Sequence, residues 1–158
     1  MSTAAKQTGC IFCSALELLD HPDSLVVFRG QSNFLILNRY PYNNGHLMIA
    51  PNDHVANPAD SDPLVLGEMM LLCQRVIRVM QEIYHPDGFN IGMNLGRSAG
   101  AGIEEHYHLH IVPRWNGDTS FMSATADTRV IPEDLATTLV KLKPYFLSNI
   151  KDQISKIK

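Results

Sequence analysis

Between Glu105 and Arg114 the chain alternates with a period of two: His106, His108 and His110 take one set of positions, and Tyr107, Leu109 and Ile111 take the other. Residues at i, i+2 and i+4 share a face in a β-strand. The run therefore demands a strand over His106–Arg114, with an apolar face turned to a core and an imidazole face turned elsewhere. Three of the chain's seven histidines fall within these five residues, so this strand is where chemistry is expected. A strand rises about 3.3 Å per residue, which places the outer two Cα atoms roughly 13 Å apart. Zinc needs each nitrogen at about 2.0–2.1 Å. One ion cannot collect all three rings from a straight strand, so at most one or two serve a metal. The rest are left for nucleophilic or proton-transfer work near neutral pH.

The elements around this strand suit an antiparallel sheet flanked by helices, an α+β domain of about five strands. Strands are expected at Leu25–Phe28, Phe34–Asn38, His46–Pro51 and Phe89–Leu95, with turns at Arg29–Asn33 and at Asn44-Gly45, where both residues tolerate positive φ. A long helix is capped by Asp62, begins at Pro63 and is stopped before Pro86 and Gly88. Leu66, Met69, Met70, Cys73, Ile77, Met80 and Tyr84 fall on one helical face and read as packing, Cys73 as an inert core thiol. A short strand near Thr128–Ile131 is possible. Pro132-Glu133-Asp134 opens a second helix that Pro144 ends or kinks. Leu147, Ile150, Ile154 and Ile157 suggest a last amphipathic segment. Residues 1–9 read as a loose tail, and residues 132–158 as a C-terminal helical segment of the same domain, 1–158.

A chain of 158 residues can bury a substantial core. Its net charge of −3 gives no electrostatic case for nucleic acid or an anionic membrane as main partner. No apolar run is long enough for a membrane span, and Met1–Gly9 lacks an apolar signal core, so a cytoplasmic protein is expected. Three cysteines do not make a disulfide framework.

Cys10-Ile11-Phe12-Cys13 is a C-x-x-C pair whose thiolates can share one ion. A zinc site needs two further ligands, and His54 with one strand histidine are the natural candidates. A pair of small buried residues is the alternative. The loop Gly96–Gly102 can present successive N–H groups to an anion, or be only a flexible turn. Arg114 can pair with a phosphate and Trp115 can stack on a base, or the pair can be a surface turn with a packed indole. Together these features suggest imidazole attack on an electrophile, with the developing charge held by neighbouring imidazoles and backbone N–H groups. Phosphorus fits that description.

The run His106-Tyr107-His108-Leu109-His110-Ile111-Val112 resembles the H-φ-H-φ-H-φ-φ signature (φ, apolar) of the histidine triad family, and the resemblance extends from Cys10 to about Met122. Gly45-His46 followed by His54 is similar to the family's conserved-histidine segment. Gly88–Gly96, Pro113-Arg114-Trp115 and Gly117–Met122 resemble the branch of diadenosine polyphosphate hydrolases and phosphorylases. The resemblance implies a HIT-like fold, usually as a homodimer. It implies a nucleotide substrate such as diadenosine tetraphosphate, cleaved at the α-phosphate through a nucleotidyl-histidine intermediate on His108. His110 and His46 would contact phosphate oxygens. Asn38 would meet the ribose, and Asn94 the phosphate or leaving group, beside the Gly100, Ala101, Gly102 and Ile103 loop. One structural zinc per chain would be held by Cys10, Cys13, His54 and His106. A nucleoside phosphoramidase, and a nucleotide-binding protein with little activity, are the alternative readings.

Overall fold

A computed structural model describes residues 9–118 and 133–147. Five strands form one antiparallel sheet in the order β1-β2-β3-β5-β4: β1 is Val26–Arg29, β2 Asn33–Leu37, β3 Leu47–Pro51, β4 Gly88–Gly92 and β5 Leu109–Arg114. Helix α1 spans Ile11–Glu17, α2 Pro63–Tyr84 and α3 Leu135–Phe146. The α+β expectation is met. The possible strand near Thr128–Ile131 and the last amphipathic segment beyond Leu147 lie outside the described residues.

Alternation sorts the side chains of β2, β3 and β5 onto two faces. Leu35, Leu37, Leu47, Ile49, Tyr107, Leu109 and Ile111 meet α2 and α3 in the larger core. Phe34, Ile36, Met48 and Ala50 meet Phe12 of α1 on the opposite face. Both β2 and β3 are buried along their whole length because each face has its own cover. A bulge between Val26 and Phe28 shifts the β1–β2 register, so that the consecutive Val27 and Phe28 both pack on the larger core while Val26 enters the smaller.

Helix α2 starts as its sequence dictates: the Asp62 carboxylate accepts from the Leu64 N–H at 2.8 Å and Pro63 takes the first position. It ends at His85, whose φ of 46° is left-handed, ahead of Pro86. Its buried face is Met69, Leu72, Cys73, Val76, Val79 and Met80, turned from the expected stripe. Met70 is a correction, exposed with Leu71 and Leu64, whereas Leu72, Val76 and Val79 carry the contact. The thiol of Cys73 is buried and its pKa is pushed up by that burial, in keeping with an inert core group. Glu68 leaves the same helix to accept from the N–H groups of Gln31 and Ser32, both at 2.7 Å, and from Asn33 Nδ2 at 2.9 Å. This clamps the β1–β2 turn.

Pro144 does not end α3: the helix continues to Phe146. Leu142 and Phe146 are fully buried. The Arg75 guanidinium donates to Tyr145 O at 2.6 Å and lies 4.9 Å from the Phe146 ring centre. The carbonyl that Pro144 leaves without a helical donor belongs to the exposed Val140, where water can reach it. Tertiary anchoring outweighs the proline. No helix among the described residues is long and apolar enough to cross a membrane.

Candidate active site

The paired strand begins at Leu109, not at His106 as the alternation suggested. Tyr107 still enters the larger core and donates its N–H to Val55 O at 2.9 Å, and its hydroxyl meets Ser61 Oγ at 2.8 Å. The loop that follows β3 therefore takes the place of a sheet neighbour for this stretch. The two-sided pattern survives: three apolar residues face α2 and three imidazoles face away.

Each imidazole has a distinct hydrogen-bond setting, and these settings fix the ring protons. His106 is fully buried, with Nε2 at 2.9 Å from Pro51 O. A carbonyl only accepts, so Nε2 carries the proton and Nδ1 keeps a lone pair. That Nδ1 faces Cys10 Sγ at 3.3 Å and Cys13 Sγ at 3.7 Å. His54 Nδ1 lies 3.4 Å from Cys13 Sγ. All four donor atoms lie within 4.8 Å of one another. Zinc at about 2.3 Å from sulfur and 2.0–2.1 Å from nitrogen requires tetrahedral S···N edges of about 3.6 Å. The cluster matches this, and His106 has the outer hydrogen bond that orients a ligating imidazole. The four residues therefore fit a closed Cys₂His₂ site. The turn carrying both cysteines is closed by the Ser14 N–H bonding to Cys10 O at 3.0 Å.

His108 donates from Nδ1 to His106 O at 3.0 Å, which leaves Nε2 with its lone pair. Its ring lies 4.7 Å from the Phe12 ring and 4.7 Å from the His110 ring. His46, also buried, accepts the Tyr42 N–H at Nδ1 (3.1 Å), so its own proton is on Nε2. From there it donates to His110 Nδ1 at 3.0 Å. The proton of neutral His110 is consequently on Nε2. Asn38, beside the His46 ring, places Nδ2 at 3.3 Å from Nδ1 and accepts the Tyr40 N–H with Oδ1. Burial lowers the pKa of His108, and burial with the neighbouring His108 lowers that of His110 to about 4. Both rings are neutral at pH 7. One offers a lone pair and its neighbour offers an N–H, 4.7 Å apart between ring centres.

The glycine loop contains one 3₁₀ turn, Arg97–Ala99, between Gly96 and Gly100, both of which have positive φ. The Gly100 N–H bonds to Arg97 O and the Ala101 N–H to Gly96 O, so these two N–H groups close the turn. The N–H groups of Gly102 and Ile103 bond to nothing among the described residues. Asn94 Nδ2 reaches Gly100 O at 3.5 Å and steadies the same loop.

Arg114 does not reach toward the histidines. It grips both carboxylate oxygens of Asp118 at 2.6 Å and Asn90 Oδ1 at 2.7 Å. Asp118 also accepts from Asn43 Nδ2 and the Trp115 N–H, tying the turn before β3 to the end of β5. The Trp115 indole donates to Tyr84 O at 3.3 Å. Both residues therefore take the structural alternative. Two side chains beside the site carried no sequence signal of their own. Phe12 is hidden inside the C-x-x-C pair. Tyr42 is exposed with its ring 4.9 Å from His46 and 6.3 Å from His110.

The HIT domain model matches residues 21–117. The AP-4-A phosphorylase of Mycobacterium tuberculosis is 44% identical over 120 residues, which cover 76% of this chain and 62% of that protein. The chain thus spans under two thirds of the length of that relative. A 16.1 kDa HIT-like protein of Mycoplasma pneumoniae is 30% identical over 113 residues, 72% of this chain and 76% of its own. Among solved structures, a Zn-bound histidine triad family protein from Mycobacterium smegmatis superposes with a TM-score of 0.69 at 28% identity, covering 95% of this chain and 98% of its own.

Proposed function

The chain belongs to the HIT domain family, and from that membership and the histidine geometry we propose that it is an enzyme transferring a nucleotidyl group from a dinucleoside polyphosphate such as diadenosine tetraphosphate. The observation that carries the reading is the hydrogen bond from His108 Nδ1 to His106 O, which leaves Nε2 as a neutral nucleophile. Nε2 attacks the α-phosphorus. A P–N bond forms, the P–O bond to the remaining polyphosphate breaks, and that nucleotide leaves. In the second step an oxygen acceptor attacks phosphorus and the P–N bond breaks, returning the electron pair to Nε2. Splitting one displacement into two lowers each barrier. His110, whose proton the bond from His46 leaves on Nε2, donates to a non-bridging oxygen, and the N–H groups of Gly102 and Ile103 are assigned to the same charge. Asn38 holds His46 and borders the ribose, and Asn94 shapes the loop at the phosphate. The name of the 44% identical relative favours phosphate over water as acceptor.

Zinc is the ion we assign to Cys10, Cys13, His54 and His106, one per chain. Its four ligands leave no open position for water, so its contribution is to folding. This reading also takes the protein to be a cytoplasmic homodimer of a single-domain chain, with no nucleic-acid partner. Light scattering should then give twice the 17.6 kDa of one chain.

The test is incubation with diadenosine tetraphosphate, with and without inorganic phosphate. ADP formed only when phosphate is present identifies phosphorolysis, and AMP formed in its absence identifies hydrolysis. His108→Ala should lower turnover by at least about 10³-fold. No turnover by the unaltered protein, or full turnover by His108→Ala, overturns the proposal.

A further inference from the structure

We propose that Phe12 is a positioning residue for His108, a ring that transmits the placement of the Cys10–Cys13 turn to the nucleophile. The inference rests on the reading of His108 as nucleophile. The bond from Nδ1 to His106 O fixes one edge of the His108 ring, yet a single hydrogen bond leaves the ring free to swing about it. The ring's neighbours must set its plane. His110 stands against it at 72°, with centres 4.7 Å apart, and is itself held by His46. Phe12 supplies the other aromatic contact, also at 4.7 Å and inclined at 42°.

Phe12 is well placed to act as a fixed wall. It is 1% exposed and meets Phe34 edge-on at 6.2 Å. It sits in the chain between two cysteines that both face the His106 ring nitrogen. Its ring also lies 5.2 Å from the His106 ring. One side chain therefore touches both a metal-ligand candidate and the nucleophile. Helix α1, at seven residues, is too short to be stable by itself. Its position, and so that of the ring, comes from the cysteine cluster at one end and apolar packing at the other. Aromatic pairs prefer inclined geometries over face-to-face sandwiches, so the contact carries orientation as well as area. A branched aliphatic residue of similar hydrophobicity would fill space but lose the flat surface.

The comparison is between Phe12→Leu and Phe146→Leu. Phe146 is equally buried but lies on the other face of the sheet. Both variants should lower the melting temperature and keep the wild-type zinc content. Phe12→Leu should reduce kcat at least tenfold with KM within twofold, whereas Phe146→Leu should leave kcat within twofold well below its melting temperature. A tenfold loss corresponds to about 1.4 kcal/mol in the barrier. A second readout needs no turnover: the ring-nitrogen NMR signals of His108 should show a single Nδ1–H tautomer in wild type and Phe146→Leu, and averaging or broadening in Phe12→Leu. If Phe12→Leu does not fold, Phe12→Met removes the ring at closer volume and carries the same comparison. Inactive wild type would refute the nucleotidyl-transfer reading while the NMR comparison still tests the contact. Unchanged kcat and ring signals in Phe12→Leu, or equal kcat losses in both variants, overturn the proposal.

Discussion

The neutral state of His110 makes stability depend on pH in a calculable way. An unperturbed histidine titrates near 6.5, whereas burial and the adjacent His108 bring His110 to about 4 in the folded chain. Between these values the unfolded chain binds the proton and the folded chain does not, so acidification favours unfolding. The stabilisation is fully present above about pH 7, falls as pH drops from 6.5 toward 4, and is flat below that. Two and a half units correspond to about 3 kcal/mol. The ring retains some solvent contact, so this is a ceiling. Between pH 7 and pH 5 the part lost is about 2 kcal/mol. The assay is urea unfolding of the zinc-loaded protein, followed by the fluorescence of Trp115, at pH 7, 6 and 5, for wild type and His110→Gln. The candidate metal ligands and the carboxylates titrate in both proteins and cancel in the difference. The variant should be less sensitive to pH by about 2 kcal/mol over this range. Parallel pH curves would refute the lowered His110 pKa, and with it the argument that His46 and His108 hold a neutral hydrogen-bond donor beside the nucleophile. The acid limb of kcat/KM should likewise lie below the range of an unperturbed histidine, because burial lowers the pKa of His108.

The double variant Cys10→Ser/Cys13→Ser should drop from one zinc per chain to none by elemental analysis, with a large fall in melting temperature, because a closed site binds its ion largely as folding energy; retained metal would exclude the assigned ligands. Asp118→Asn removes the carboxylate that Arg114, Asn43 and the Trp115 N–H share, and should cost about 1–3 kcal/mol in chemical denaturation. Its KM should stay within threefold, and a tenfold rise would instead make Arg114 a phosphate ligand. Gly30→Ala places a Cβ 2.6 Å from Glu68 Oε1 and 2.9 Å from Asn33 O. It should lose about 1–3 kcal/mol by overpacking, and an unchanged urea midpoint would show that the Glu68 clamp gives way freely.

What the sequence disclosed about this fold follows from the range of each signal. Alternation in residues 106–111 is local and strong, and it correctly separated the core face from the imidazole face. It could not show where sheet pairing starts, because that depends on whether β3 or the loop at Val55 lies alongside. Helix α2 carries its own cap and stop and was legible to within a residue. Its buried face was displaced because Met70 and Leu72 are equally apolar in sequence, and only the position of the sheet decides between them. Helix α1 is two turns long, below the length at which periodicity can be recognised. Its role as cover for the second face of the sheet is set by Phe12 and the cysteines, not by helical propensity.

The same distinction explains the site. Residue types pointed to a candidate metal cluster and a candidate nucleophile, because thiols and imidazoles are few and their spacing is telling. Most of the ring protons were invisible, since they depend on a backbone group far away in sequence or on a turn: Pro51 O for His106, the Tyr42 N–H for His46, and through His46 the His110 ring; His108 alone bonds two residues back, to His106 O. Arg114 was ambiguous because only the folded turn decides which partner it takes. A guanidinium reads as a phosphate ligand until Asp118, four residues on, is seen to occupy it. The strand's three histidines differ in role because their backbone surroundings differ. His106 donates to a carbonyl and turns a lone pair to two thiols, His108 donates to a carbonyl and keeps the lone pair on Nε2, and His110 accepts from His46 and keeps its proton on Nε2. One residue type, placed three times with a period of two, thereby provides a candidate ligand, nucleophile and hydrogen-bond donor without any change of side chain.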